Sequence, residues 1–188
     1  MDSTSSQIAS ALKTLRKERA WSLDKAAQET GVSKAMLGQI EREESSPTIA
    51  TLWKIATGFK TSFSSFIETR SESMPFESEE TLHCMAQAQE INSAGTKISV
   101  TSIFPYDKKL KCEIFKIEFP GKYEHLSLPH PGVIEDILVI EGTIEILVEG
   151  AWKSLNQGEG LRFNAEKNHG YRNASSEKAC VHNILHYV

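Results

Sequence analysis

The sequence predicts two domains of opposite architecture, an all-helical bundle followed by an antiparallel β-sandwich or barrel. Three observations predict it. Apolar residues recur at helical spacing over residues 7–68. From about residue 97, short β-rich runs broken by Gly, Pro and Asn follow one another at intervals of roughly 8–12 residues. Between them "TRSESMPFESEET", residues 69–81, is Ser/Glu-rich, aperiodic and interrupted by a proline, so it reads as a linker. The domains expected are therefore 7–68, helical, and 82–188, β, joined by 69–81. The stretch 81–96 fits a helix or a strand equally well.

The helices follow in order. Ile8, Leu12 and Leu15 set the apolar stripe of the first. "WSLDKAAQET" opens with Ser22, a good N-cap, and ends at Gly31. "GVSKAMLGQI" then turns through Gly31 and Val32 into a third helix capped by Ser33. "SPTIATLWKIATGF" has Pro47 and Thr48 at its start and Gly58 at its end, with Ile49, Leu52, Ile55 and Ala56 on one side. "SFSSFIE" makes a short fifth helix.

The second and third helices carry the functional signal. Two steeply crossing helices need a small residue at the contact, a corner residue tolerant of positive φ, and apolar anchors on the second helix. Ala27, Gly31, Leu37 and Ile40 supply these at the spacing of a helix-turn-helix. At 100° per residue, Leu37 and Ile40 point inward while Lys34, Ala35, Gly38 and Gln39 fall on the opposite arc. That arc has no acid, which suits a surface laid against phosphates. Lys can donate to guanine O6/N7, Gln can bind adenine through two hydrogen bonds, and Ala can touch a thymine methyl. Gly38 is expected to let the helix sit close to the groove, and Ser33 to hold a phosphate with the free amides of the helix start.

These residues resemble the lambda-repressor-like (XRE) DNA-binding domain, over residues 8–68. The resemblance implies that Lys34, Ala35 and Gln39 read bases, and that Arg42, Ser46 and Thr48 touch the DNA backbone. It also implies a structural pairing of Arg16 with Glu41. Many members place a phosphate-binding Gln at the start of the second helix. Here that stretch is "SLDK", where Leu23 cannot make the contact and Lys25 can.

The expected strands of the β half are "KISVTSIFPY", "KCEIFKIEF", "DILVIEG", "TIEILVEG", "AWKSL", "EGLRF" and "ACVHNILHYV". Two glycine-punctuated stretches gather histidine and carboxylate. One is "HLSLPHPGVIEDILVIEG", with His125, His130, Glu135 and Gly142; the other is "GEGLRFNAEKNHGYRN", with Gly158, His169 and Asn173.

This half resembles the cupin domain, a jelly-roll barrel, over roughly residues 97–188. The resemblance implies a divalent-metal site of three histidines and one glutamate, ligands that suit Fe, Mn, Ni or Zn. His130, Glu135 and His169 match three of the four positions. The fourth, two residues before His130, is Leu128, and the Pro and Gly of the second motif are replaced by Asn164 and Glu166. A weakly bound divalent metal, an effector's polar groups, or simple internal hydrogen bonding are the three expectations for this incomplete set. His125 would face away from His130 on a continuous strand unless a loop intervenes. His182, His186 and His83 read as ordinary strand or linker residues.

The totals fit this division. The net charge of −4 hides a mildly basic first segment, with 10 Lys and Arg against 8 Asp and Glu in residues 1–70, and an acidic remainder, with 11 against 17. Cys84, Cys112 and Cys180 are odd in number and far apart, which excludes a disulfide framework and a zinc ribbon. "MDSTSSQ" has no charged-then-apolar leader and no run is long enough to span a bilayer, so a cytoplasmic location and no membrane partner are expected.

An XRE domain with one C-terminal cupin resembles bacterial one-component transcription regulators, and "GVSKAMLGQIE", "ESSPTIATLWKIATG" and "SIFPYD" resemble the sulfur-utilisation regulator subgroup. The implied partners are an inverted-repeat operator in double-stranded DNA, a small-molecule effector and a second copy of the chain. The alternative is a metal-dependent cupin enzyme, a dioxygenase or isomerase, with an accessory DNA-binding module. Leu128 counts against that alternative, since such chemistry needs a full metal shell.

Overall fold

In the computed structural model the described residues are 3–67, 88–93 and 96–188. The chain divides into two compact units, Met1–Ser71 and Glu72–Val188. The expected linker at 69–81, His83 and Cys84 lie outside the described residues.

The first unit is helical: α1 (Ser3–Glu18), α2 (Leu23–Thr30), α3 (Lys34–Glu41), α4 (Ile49–Gly58) and α5 (Ser64–Ile67). Each break has a local cause. Ser22, Ser33 and Thr48 accept hydrogen bonds from the amides of Lys25, Met36 and Thr51, the N-cap geometry their side chains predict. Gly31 ends α2 at φ 65°, the left-handed conformation that a Cβ disfavours. Gly58 stands at the end of its helix, as expected, and has a second role. It is the last residue of α4, and a Cβ there would lie 2.6 Å from the Glu29 carbonyl oxygen and the Thr30 Cα. The glycine lets α4 touch the backbone at the end of α2. Leu12, Leu37, Ile40, Leu52, Ile55, Phe59 and Phe66 fill the core. Each such side chain stabilises the unit by about 1.5–3 kcal/mol through burial.

The second unit is antiparallel: β1 (Ala88–Ser93), β2 (Thr96–Asp107), β3 (Cys112–Phe119), β4 (Tyr123–Ser127), β5 (Val133–Glu141), β6 (Thr143–Val148), β7 (Ala151–Asn156), β8 (Gly160–Asn164), β9 (His169–Asn173) and β10 (Ala179–Tyr187). Part of the ambiguous stretch is thus a strand, β1; residues 81–87 lie outside the description. β4 and β9, too short and polar to stand out by pattern, bring the histidine motifs into the sheets.

The strands form two sheets, ordered β1-β2-β3-β10-β5-β8 and β4-β9-β6-β7. Among the described residues they do not close into one continuous barrel; the jelly-roll sandwich is the form taken. Alternation along β5 and β10 turns Val133, Glu135, Ile137 and Val139, with Val181, Asn183 and Leu185, to the inner face. Tyr171 and Tyr123 of the small sheet meet Phe119 of the large one, at ring separations of 5.8 and 5.3 Å. The two sheets therefore face each other across a core that includes a cluster of buried polar residues, His130, Glu135, His169 and Asn183.

Candidate functional site

The first candidate is the α2–α3 corner. Ala26, rather than the expected Ala27, is the fully buried small residue of α2, while Ala27 is half-buried. Leu37 and Ile40 are buried as expected, and Ser33, Lys34, Ala35 and Gln39 are exposed. Gly38 departs from its expected place. It is buried, and the space a Cβ would take is bounded by Arg42 Nη1 at 3.1 Å and Leu23 Cδ1 at 3.8 Å. The helical wheel puts Gly38 above Lys34, but α2 begins on that side, so Leu23 covers it. Leu23, unable to hold phosphate, packs here instead.

The other candidates have definite partners. Lys34 Nζ donates to Asp24 Oδ2 at 2.8 Å, and Lys25 Nζ to Glu29 Oε1 at 2.5 Å. Arg42, capping the end of α3, grips Glu44 through Nε (2.8 Å) and Nη2 (2.7 Å). Ser46 shares a hydrogen bond of 2.7 Å with Ser5 and stays exposed. The Thr48 hydroxyl is spent on capping α4. Glu41, the one acid within α3, is turned in to Arg16, which donates to its two oxygens at 2.6 and 2.8 Å. The exposed arc of α3 is therefore free of acid. Asp24 is the neighbour that sequence reasoning passed over; its place opposite Lys34 follows from the crossing of two helices, which no spacing announces.

The second candidate lies between the sheets. His130, Glu135 and His169 come together, all buried, with one ligand atom from each lying within 4.8 Å of the others. His130 sits in the loop after β4, fixed by its amide bond to the Ala165 carbonyl at 2.7 Å. Glu135 stands on β5 and His169 opens β9. Glu135 Oε1 is 3.4 Å from His130 Nδ1 and 3.5 Å from His169 Nε2. Its other oxygen accepts from the Tyr171 hydroxyl at 2.6 Å and from Asn183 Nδ2 at 3.0 Å. Neither Tyr171, an unspecified position within the second motif stretch, nor Asn183 was singled out by the motifs; Tyr171 reaches Glu135 from β9 of the facing sheet and Asn183 from the neighbouring strand β10.

The loop after Ser127 breaks the strand, the exception under which His125 need not face away from His130. The His125 Nε2 is buried without a hydrogen bond, and the ring interacts with His169 and His130. Leu128 does not fill the place of a missing ligand: it is exposed, and the β4 residue directly opposite His169 is the buried Ser127. Asn173 is a structural fastener, donating to the carbonyls of Phe119, Pro120 and Glu177 and accepting from Ser175. Gly142 and Gly158 occupy turns at φ 77° and 87°. His186 meets Asp136 at 3.1 Å, an ordinary strand contact.

The electrostatics keep the cluster ready for a cation. Burial lowers the His169 pKa below the ordinary value, against the opposing pull of Glu135, and burial with the two neighbouring imidazoles lowers that of His125. Burial pushes the Glu135 carboxyl up, but the His130 hydrogen bond, the two imidazoles and Tyr171 outweigh it and hold it below the usual carboxylate range. His169 Nδ1 lies 2.9 Å from the Lys167 carbonyl, which favours the tautomer with its Nε2 lone pair facing Glu135. Two ligands each about 2.1 Å from one ion stand about 3.4 Å apart in tetrahedral geometry. The separations from Glu135 Oε1 match that spacing, and His169 Nε2 has no hydrogen bond. The residues present fit a divalent metal, with Tyr171, Asn183 and the Lys167 carbonyl orienting the ligands.

Two capped helices around a left-handed glycine corner, with an acid-free arc on the second, define a helix-turn-helix DNA-binding protein. The helix-turn-helix family HTH_3 matches residues 12–66, and the cupin domain family Cupin_2 matches residues 117–185. The chain is 43% identical to the HTH-type transcriptional regulator SutR of Escherichia coli (strain K12), over 100% of this chain and 98% of that protein. It belongs to this family of HTH-type transcriptional regulators. A crystal structure of an HTH_3 family transcriptional regulator from Vibrio cholerae superimposes with a TM-score of 0.77 at 41% identity, over 98% of this chain and 97% of that one. A predicted oxalate decarboxylase from Thermotoga maritima, 12% identical, shares the fold alone over 55% of this chain and 94% of its own, with a TM-score of 0.50.

Proposed function

We propose that this DNA-binding regulator reads its operator with Lys34, Ala35 and Gln39, and that it responds to a small molecule through the pocket around His130, Glu135 and His169. The observation that carries the first part is the exposed arc of α3, where the acid of the helix is turned away to Arg16. Ser33 and the amides beside it, with Arg42, Ser46, Lys25 and the start of α4 at Thr48, then supply the backbone contacts that set register. Arg42 and Lys25 exchange their carboxylate partners for phosphate, at little cost because such exposed pairs are weak.

One helix-turn-helix unit reads too few base pairs to select one site among the roughly million competing sites of a genome. The working form is therefore a homodimer joined through its β half, acting in the cytoplasm on an inverted repeat whose half-sites lie about one helical turn apart. The effector acts by binding the DNA-competent and incompetent arrangements with different free energies. A metal held by His130, Glu135 and His169 would offer an effector a Lewis-acid anchor, and the chain's own residues orient those ligands.

The open coordination positions of a three-ligand set favour one second reading, metal-dependent oxygenase or isomerase chemistry. Leu128, exposed, adds no ligand, so the set stays one short of the full shell, which counts against that reading. Capturing genomic fragments on the full-length protein tests the first reading. Enrichment of one inverted-repeat motif, with enrichment changed by extracts of effector-containing medium, supports it. Absence of any motif, or turnover of a small molecule by the metal-loaded protein, supports the rival.

A further inference from the structure

Asp24 is an acid at the reading end of a surface that must meet a polyanion. It is the second residue of α2, and its Oδ2 accepts from Lys34 Nζ, the first residue of α3, at 2.8 Å. The side chains are 72% and 59% exposed, so their pairing contributes little to folding. A carboxylate so placed also opposes the charge neutralisation that drives DNA binding. In the first turn of α2 the carboxylate complements the helix dipole, a contribution any acid there would make, but that does not account for its pairing with Lys34. Glu29 and Glu44 pair with Lys25 and Arg42, the residues proposed to hold phosphate, whereas Asp24 pairs with Lys34, a proposed base reader.

We propose that Asp24 is a specificity-determining residue that reads one G·C base pair together with Lys34. Lys34 donates to guanine O6 and N7, and Asp24 accepts from the N4 amine of the paired cytosine. The inference rests on α3 being the base-reading helix. The two side chains set a donor beside an acceptor, and a G·C pair presents an acceptor, O6, beside a donor, N4. The reversed C·G pair puts an amine under the lysine and a carbonyl under the carboxylate, as does A·T. T·A offers O4 and N6 in the right order, but there the N7 acceptor falls on the carboxylate's side and a methyl on the lysine's. G·C is the pair that places N7 beside the lysine.

The test is selection from random duplexes by the full-length wild type, Asp24→Ala and Asp24→Asn, with thermal denaturation of each. The wild type should enrich one G·C pair at a fixed position. Asp24→Ala should relax that position by about 5-fold or more while keeping the rest of the motif, and should bind a scrambled duplex more tightly at low salt. Asp24→Asn keeps an acceptor oxygen and should keep the preference. An unchanged motif in Asp24→Ala overturns the assignment. So does an Asp24→Asn that loses the preference as Asp24→Ala does, since charge rather than contact would then be at work. Lower melting temperature with uniform weakening on all duplexes also overturns it, making Asp24 a support of α2. A wild type that enriches no sequence instead overturns the base-reading role of α3 itself.

Discussion

Arg16 of α1 and Glu41 of α3 join through two hydrogen bonds, 2.6 and 2.8 Å long, while a third guanidinium nitrogen donates to the Trp21 carbonyl at 3.0 Å. One side chain thus ties α3 to the first helix and to the start of α2. The guanidinium pKa is raised, chiefly by the hydrogen bond to Glu41. With side-chain exposures of 17% and 8% the pair lies between the surface and buried limits. Arg16→Ala is expected to cost about 2 kcal/mol, and Arg16→Lys nearly as much because an ammonium cannot make the two-toothed contact. Chemical denaturation checks both; a loss under 0.5 kcal/mol for Arg16→Ala would make the pair incidental.

Gly58 and Gly31 should respond differently to alanine. At Gly58 the new methyl would stand 2.6 Å from backbone atoms of Glu29 and Thr30, which cannot swing away. Alanine's helix propensity favours the change by about 1 kcal/mol. Overpacking against backbone should outweigh it and leave a net loss of about 2 kcal/mol or more. At Gly31 nothing lies within 4 Å of the added carbon, so the cost is the left-handed backbone alone, about 1 kcal/mol. Calorimetry that finds Gly58→Ala neutral would contradict the close approach of α4 to α2.

These cases mark what the sequence made legible. Caps and corners could be read because Ser22, Gly31, Ser33 and Thr48 act on their own neighbours. The inward pair Leu37 and Ile40 followed from period alone. Gly38 was misplaced because a wheel shows faces but not what packs on them, and Leu23 arrives from another helix. In the β half, His130, Glu135 and His169 were found by motif; Tyr171, two residues past His169 on β9, shares its inward face but no motif marks it, and Asn183 comes from β10, whose register beside β5 no local pattern fixes. For His125, strand parity left the answer to whether a loop intervened, and it does, between β4 and β5.

Divalent metal should bind at the buried cluster. Zn²⁺, Mn²⁺ or Fe²⁺ at a hundred times the dissociation constant stabilises the folded state by about 2.7 kcal/mol. The melting temperature should rise accordingly and not rise in Glu135→Gln. Tyr171→Phe removes a donor to Glu135 Oε2 and should weaken the metal by about 10- to 100-fold. Absence of a shift with all three metals, or a shift that survives Glu135→Gln, would remove the metal from the account.

Arg42→Ala separates general affinity from sequence reading. The guanidinium is exposed beside Glu44 at the end of α3, so its loss should weaken operator and scrambled duplexes alike. The slope of log affinity against log salt should fall by about one unit. Salt titrations of both duplexes check this, and a loss confined to the operator would make Arg42 a base reader.

The central claim is that the exposed arc of α3 reads sequence, and Gln39→Ala tests it most directly. The side chain is exposed and supports no buried contact, so its removal should leave the fold intact. Fluorescence anisotropy on the operator and on a scrambled duplex of equal length, at one salt concentration, gives the ratio of the two affinities. The account predicts that operator affinity falls by about 5- to 150-fold, as expected for one good base contact, while affinity for the scrambled duplex is unchanged. An unchanged ratio would contradict it.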